Sequence, residues 1–234
     1  MNGKRITTWC GSEDENTMPT YLDLERWGRR AAFEFFKDFD NPFFGITVEL
    51  DVTRHVSHCR DKGAPFSLAT KFLAMRAVNE SEPFRMRLEE DRVVIYERVH
   101  PTSTELFEDH KLLVVSHDDT DDFREFCERA KSAREAARHR TTFLDEASMR
   151  PDTIHFSIVP WLTFTSVSHA RHLSGHKSSE PKIMFGRYHG PEDALRMPVS
   201  VECHHALMDG LHVSQFLERL QALFDGADLE SRTP

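Results

Sequence analysis

Near its C-terminal end the chain carries the stretch VSVECHHALMDGLHVSQF, Val199–Phe216, in which His204 and His205 are adjacent and Asp209 and Gly210 follow in a turn. Imidazole has an ordinary pKa near 6.5, so it is mostly neutral at pH 7 and able to accept a proton. Read as a strand over 198–205, the stretch alternates faces. Val199, Val201, Cys203 and His205 share one face, and Ser200, Glu202 and His204 share the other. His205 therefore ends an apolar row beside a turn, where it can point into a cleft and serve as a general base, a role worth roughly 10²–10⁴ in rate. The plainer alternative is a structural histidine at a strand end. Zinc is disfavoured, because adjacent histidines on a strand diverge and zinc needs three or four convergent ligands; no metal is expected. Cys203, on the face of His205, invites a cysteine–histidine nucleophile. Against it stands the usual behaviour of a buried thiol as a small hydrophobe. Asp209 either braces the loop or orients a partner group.

The elements that must position these groups show as periodicities. Residues 24–39 are predicted helical, with Trp27, Ala31 and Phe35 recurring at spacing four. FFGITVELDV, 43–52, reads as a strand rich in aromatic and β-branched residues. A helical stripe of Leu68, Phe72 and Met75 follows over 65–80. DRVVIYERVHP and KLLVVS read as strands, and the charged run from Asp119 to Arg140 as a solvated helix. A strand in DTIHFSIVPWLTFTS ends near Pro160, HARHLSGHKSSEPK is a polar, basic loop, and KIMFGRY and MPVSVECHH are strands. The last helix starts at Gly210 and buries Val213, Phe216, Leu217, Leu220 and Phe224. Strands and helices without strict alternation indicate an α/β fold with a mixed sheet.

The 234 residues suit one domain over 18–226, with a flexible polar arm at 1–17 and a polar tail at 227–234; Met18 is a second possible start. A formal net charge of -9 argues against nucleic-acid partners. No apolar run has the length of a membrane span. The N-terminus lacks the apolar core of a signal peptide. Cys10, Cys59, Cys127 and Cys203 are scattered, as suits reduced thiols in a cytoplasm.

His205-Ala-Leu-Met-Asp209-Gly210 is an HxxxDG motif, shared by chloramphenicol acetyltransferases and by dihydrolipoamide acyltransferase catalytic domains. Three further segments occur in the order of the first family. WGRRAAFEFF (27–36) resembles its early helix, EPFRMRLEEDRVVIYERVHP (82–101) a central segment, and FSIVPWLTFTS (156–166) its Ser-x-x-Pro-Trp segment. From about Tyr21 to Phe224 the chain thus resembles the chloramphenicol acetyltransferase family. The resemblance implies a two-layer α/β sandwich with a mixed sheet, assembled as a homotrimer with active sites between subunits. It implies acetyl-coenzyme A as co-substrate, no permanently bound cofactor, and direct transfer to a small alcohol in a ternary complex. By motif position His205 is the general base. Ser157 donates to the oxyanion of the tetrahedral intermediate, a contribution of a few kcal/mol, on the order of 3. Asp209 pairs with Arg29. Arg187 and Tyr188 fall where coenzyme A contacts are expected, and Trp161 is assigned with them.

Departures concern the acceptor side. Phe36 stands where a tyrosine is common, Ser103 where an aromatic is found, Glu105 where a small apolar residue is, Met184 where a threonine is, and Val167 where a phenylalanine is. Phe35, Phe36, Phe43 and Phe44 still supply an aromatic acceptor site, expected to face a neighbouring chain's base, with Ser103, Val167 and Met184 beside it. Chloramphenicol is the leading acceptor. The alternatives are another hydroxyl or thiol acceptor, or a degenerate trimer that binds without turnover.

Overall fold

The computed structural model describes residues 20–108, 110–171, 178–226 and 229, so the predicted arm and nearly all of the tail lie outside the described residues. Six strands form the central sheet, in the order β2 (Phe43–Asp51), β9 (Arg196–His204), β8 (Lys182–Phe185), β7 (Thr153–Ile158), β5 (His100–Leu106) and β6 (Leu112–Ser116). The β5–β7 and β7–β8 pairs are parallel and the others antiparallel, so the sheet is mixed. A smaller sheet pairs β1 (Thr20–Tyr21), β4 (Arg92–Ile95) and β3 (Met86–Glu89).

Strand alternation decides what each face of the large sheet becomes. Ile154, Phe156, Ile183, Phe185, Val199 and Val201 point to one side and are essentially fully buried. On that side lie α2 (Thr53–Lys62), α3 (Phe66–Glu80) and α5 (Gly210–Gly226), whose apolar residues share one core with the strands. The α5 stripe is as its spacing predicts: Val213, Phe216, Leu217, Leu220 and Phe224 are all buried. Helix α4 (Phe123–Arg138) starts at Asp122, whose side chain accepts the Glu125 N–H, and buries Phe126 against Phe72 of α3. The alternate residues of the strands make the opposite face. Thr47, Ser200, Met184 and Ser157 are register partners across β2, β9, β8 and β7. A hydrogen bond of 3.1 Å from Thr47 Oγ1 to Ser200 Oγ confirms that this row shares a side.

Two expectations need correction. The N-terminal helix α1 is only Arg30–Phe36, because the chain turns through Asp23–Trp27 before it. Its buried residue is Phe33, whereas Phe35 is 64% exposed, so the spacing of Trp27, Ala31 and Phe35 does not mark the packed face. Helix α2 was not evident in the sequence. Its sequence TRHVSHCRDK has few apolar residues, and His55 completes the buried face by stacking on Phe224 at 4.7 Å and bonding Thr70 Oγ1 at 3.0 Å. Helix α2 ends at Gly63, whose φ of 63° is the left-handed conformation that glycine adopts without strain.

Candidate active site

Strand β9 ends at His204, and the chain turns sharply: the Leu207 and Met208 N–H groups both donate to the His204 carbonyl. His205 is the first residue past the strand. Its N–H donates to the Pro42 carbonyl at 2.8 Å, which ties it to the start of β2. Its ring lies parallel to Phe36 of α1, with centroids 4.0 Å apart and an interplanar angle of 4°, and tilts against Phe44 at 4.7 Å. Nδ1 is buried without a hydrogen-bond partner among the described residues. The residue as a whole is half-buried, so Nε2 is the nitrogen that a reactant can reach. His204 is instead buried, 2% exposed, edge-on to Phe43, with Nδ1 accepting the Ala206 N–H.

A second set of contacts fixes the backbone of the base. Asp209 stands at the start of α5 and accepts the Leu211 N–H at 3.0 Å, as a capping residue does. It forms an ion pair with Arg29, and the same guanidinium donates from Nη2 to the His205 carbonyl at 3.2 Å. His212 Nδ1 lies 2.9 Å from the other Asp209 oxygen. Partial burial pushes the Asp209 carboxyl upward, but Arg29, His212 and backbone N–H groups outweigh it and hold the pKa below its ordinary value. Arg29 and Asp209 keep 18% and 35% side-chain exposure, so the pair is not sealed in one chain.

Ser157 lies elsewhere. It is in β7, two strands from β9, half-buried, and its parity turns it away from the helices, beside Met184. The His205 ring sits with Phe36 and Phe44, on the other side of the sheet. One chain does not aim its imidazole and its Ser157 hydroxyl at a common point.

The remaining predicted residues divide. Phe36 and Phe44 pack on the His205 ring of their own chain. Phe35 is largely exposed, against Phe36 and Phe39 and not against the histidine. Ser103 is not beside Ser157: it points to the helix side, 7% exposed, bonded to Lys71 and Glu105. The register places Phe156, not Ser157, opposite it. Phe43, Phe44 and Val167 line a cleft of about 450 Å³ together with Asn41, Arg171 and Glu202. Trp161 and Arg187 are exposed, while Tyr188 packs on Phe66 with rings 5.2 Å apart. The turn carrying Trp161 sits close on β8, where a side chain at Gly186 would collide with Pro198 and the Leu162 carbonyl. Cys203 is fully buried, and burial pushes its thiol up to about 12, which leaves it unreactive.

Sequence reading missed Arg171 and Glu202, which form a buried ion pair at 2.7 Å. Arg171 lies in a stretch that reads as polar loop. The available signal was Glu202 itself, a carboxylate on the inner part of an otherwise apolar strand, which demands a partner.

A family model described as chloramphenicol acetyltransferase matches residues 18–221. Chloramphenicol acetyltransferase 3 of Escherichia coli is 27% identical over 206 residues, covering 87% of this chain and 96% of that protein. A chloramphenicol acetyltransferase of Proteus mirabilis is 25% identical over 216 residues, covering 87% and 94%. Among solved structures, a chloramphenicol acetyltransferase superposes with a TM-score of 0.74 at 27% identity, covering 88% of this chain and 100% of that one. A probable dihydrolipoamide acetyltransferase from Listeria monocytogenes, 16% identical, shares the fold with a TM-score of 0.56 over 94% and 98% of the two chains.

Proposed function

The chain belongs to the chloramphenicol acetyltransferase family and is therefore an acyltransferase; from this premise we propose that it transfers acetyl from acetyl-coenzyme A directly to a hydroxyl of a small alcohol, with chloramphenicol the first acceptor to test. The observation that carries the reading is the clamp on His205. Arg29 holds both the capping carboxylate of Asp209 and the carbonyl of the base, while Phe36 and Phe44 fix the ring plane. Such fixing is what a general base requires.

In this mechanism Nε2 of His205 takes the acceptor hydroxyl proton as the oxygen attacks the thioester carbonyl. The tetrahedral oxyanion receives a hydrogen bond from the Ser157 hydroxyl. Collapse breaks the carbon–sulfur bond, and the leaving thiolate of coenzyme A recovers the proton from the imidazolium. No acyl-enzyme forms, in keeping with the unreactive burial of Cys203. Arg29 and Asp209 act as positioning residues, and Trp161, Arg187 and Tyr188 form the coenzyme A side. The active assembly is a homotrimer. The opposed placement of His205 and Ser157 supports this reading, because a second copy can present its Ser157 face to the base. The buried cysteines Cys59, Cys127 and Cys203 fit a reducing, cytoplasmic location.

The test is purified protein with acetyl-coenzyme A and chloramphenicol, following free thiol with a chromogenic reagent. Acceptor-dependent thiol release, with acetylated product detected by mass, is expected. Its absence with chloramphenicol, when another hydroxyl supports it, selects the second reading, an acyltransferase of different acceptor. Met184, a poor hydrogen-bonding group beside Ser157, favours that second reading.

A further inference from the structure

Ser157 has a cross-strand neighbour on each side of β7. On the β8 side the register places Met184, whose thioether has no proton to donate. On the β5 side it places Thr104. Ser103 turns to the helices and bonds Lys71, so strand parity sends Thr104 to the polar face with Ser157. A contact fixes that assignment. Thr104 Oγ1 lies 3.1 Å from Nε2 of His155, which stands two residues before Ser157 and on the same face. Thr104, His155 and Ser157 are all half-buried, so the group keeps access from solvent. Neighbouring strands lie about 4.8 Å apart. Two hydroxyls carried on Cβ atoms at about that spacing can both reach one oxygen at roughly 2.7–3.1 Å, the distance of an oxyanion donor.

The imidazole decides what Thr104 has to offer. A threonine hydroxyl holds one proton and accepts two hydrogen bonds. With Nε2 of His155 unprotonated, Thr104 gives its proton to the ring. With the proton on Nε2, the ring donates to Oγ1, and the hydroxyl proton is left for a third group. Building on the acetyltransferase reading, in which Ser157 faces the tetrahedral intermediate, we propose that Thr104 is a second oxyanion donor beside Ser157, and that His155 is the positioning residue that holds it in the donating orientation through Nε2–H. Burial, with Lys182 and His169 nearby, lowers the His155 pKa to about 4, so the ring is neutral and carries one proton. The pair supplies on the β5 side the hydrogen bonding that Met184 cannot supply on the β8 side. The charge it meets develops only as the thioester carbonyl is attacked. Its effect therefore falls on kcat and not on coenzyme A affinity.

The experiment follows thiol release from acetyl-coenzyme A, with chloramphenicol as acceptor and, separately, with water alone, since both attacks pass through the same oxyanion. Thr104→Val keeps the side-chain shape and removes the hydroxyl. It should lower kcat by roughly 10–10², with KM for acetyl-coenzyme A within about twofold of wild type and the melting temperature unchanged. Thr104→Ala reads the same loss should the valine disturb packing. Thr104→Ser, which restores the hydroxyl, should return kcat to within about threefold of wild type. His155→Leu should match the loss of Thr104→Val, His155→Gln should recover part of it, and the His155→Leu/Thr104→Val double variant should be no slower than Thr104→Val alone. Unchanged kcat in Thr104→Val and Thr104→Ala, or a loss that Thr104→Ser does not repair, would overturn the proposal. Losses that multiply in the double variant would overturn the part given to His155. An active wild type with indifferent variants fails this proposal alone, whereas a wild type that releases no thiol above the blank in either assay fails the acetyltransferase reading and this proposal with it.

Discussion

The two faces of the six-stranded sheet are cut from the same strands and differ in every chemical respect. Toward the helices, Ile154, Phe156, Ile183, Val199 and Val201 form a row without solvent access. On the other side the alternate residues are Thr47, Ser157, Met184, Ser200, Glu202 and His204, several of them just as buried but polar. Apolar burial of the first kind stabilises through area removed from water, about 25 cal/mol per Å². Polar burial of the second kind is neutral at best and holds only where partners are supplied, as Arg171 is for Glu202. The helix face holds the apolar core, and the polar face holds groups that need partners. His205 belongs to neither row. It sits just past the strand end, where α1 and the Arg29–Asp209 pair hold it.

The adjacent histidines separate these regions most sharply. His205→Ala should lower kcat by roughly 10²–10⁴ with the fold intact. His204→Ala, which empties a buried site against Phe43, should lower the melting temperature more than kcat. Equal kinetic losses in two folded variants would erase the distinction. Ser157→Ala comes next: kcat should fall by roughly 10²–10³, the scale of a lost oxyanion donor, with no change in melting temperature, because Ser157 belongs to the polar face. A loss of stability without a kinetic loss would return Ser157 to a structural role.

Arg29→Ala and Asp209→Asn should have smaller effects. The pair is partly exposed in one chain, so the stability cost is on the order of 1–2 kcal/mol, below that of a sealed ion pair. Rescue of kcat by Arg29→Lys only in part would mark the double contact to Asp209 and to the His205 carbonyl as the operative feature.

A pH trend is shared by both faces. Burial lowers the pKa values of His55 on the helix side and His155 on the polar side to about 4, and that of His117 likewise. Below an unfolded pKa near 6.5, the unfolded chain binds protons that the folded chain refuses, so stability falls as pH drops from about 6.5 through 4. Asp119, raised to about 6 by burial, acts in the opposite sense and offsets part of the trend. Melting temperature against pH checks the sign, and a melting temperature that rises on acidification through this window would contradict it.

How much of this was readable beforehand follows from the same contrast. Where one face is apolar, periodicity locates the element, as in α5 and in β9, whose observed limits lie within two residues of the expected ones. Helix α2 escaped because histidine and cysteine replace aliphatic residues on its buried side. Phe35 misled because aromatic residues at helical spacing say nothing about which way a seven-residue helix rolls; Phe33 is the buried one. Ser103 was placed by resemblance alone, and strand parity turns it toward Lys71. The Arg171–Glu202 pair was hidden because its partners are 31 residues apart and meet only through the path of the loop after β7.

The central claim is that the chemistry needs His205 from one copy and Ser157 from another. It is tested most directly by unfolding and refolding His205→Ala and Ser157→Ala chains together in equal amounts and assaying trimers verified by light scattering. Random assembly then leaves about one quarter of the sites with both residues intact. The account predicts activity near that fraction of wild type, well above either variant alone. Verified mixed trimers no more active than the average of the two parent variants would place both groups in one chain and contradict it.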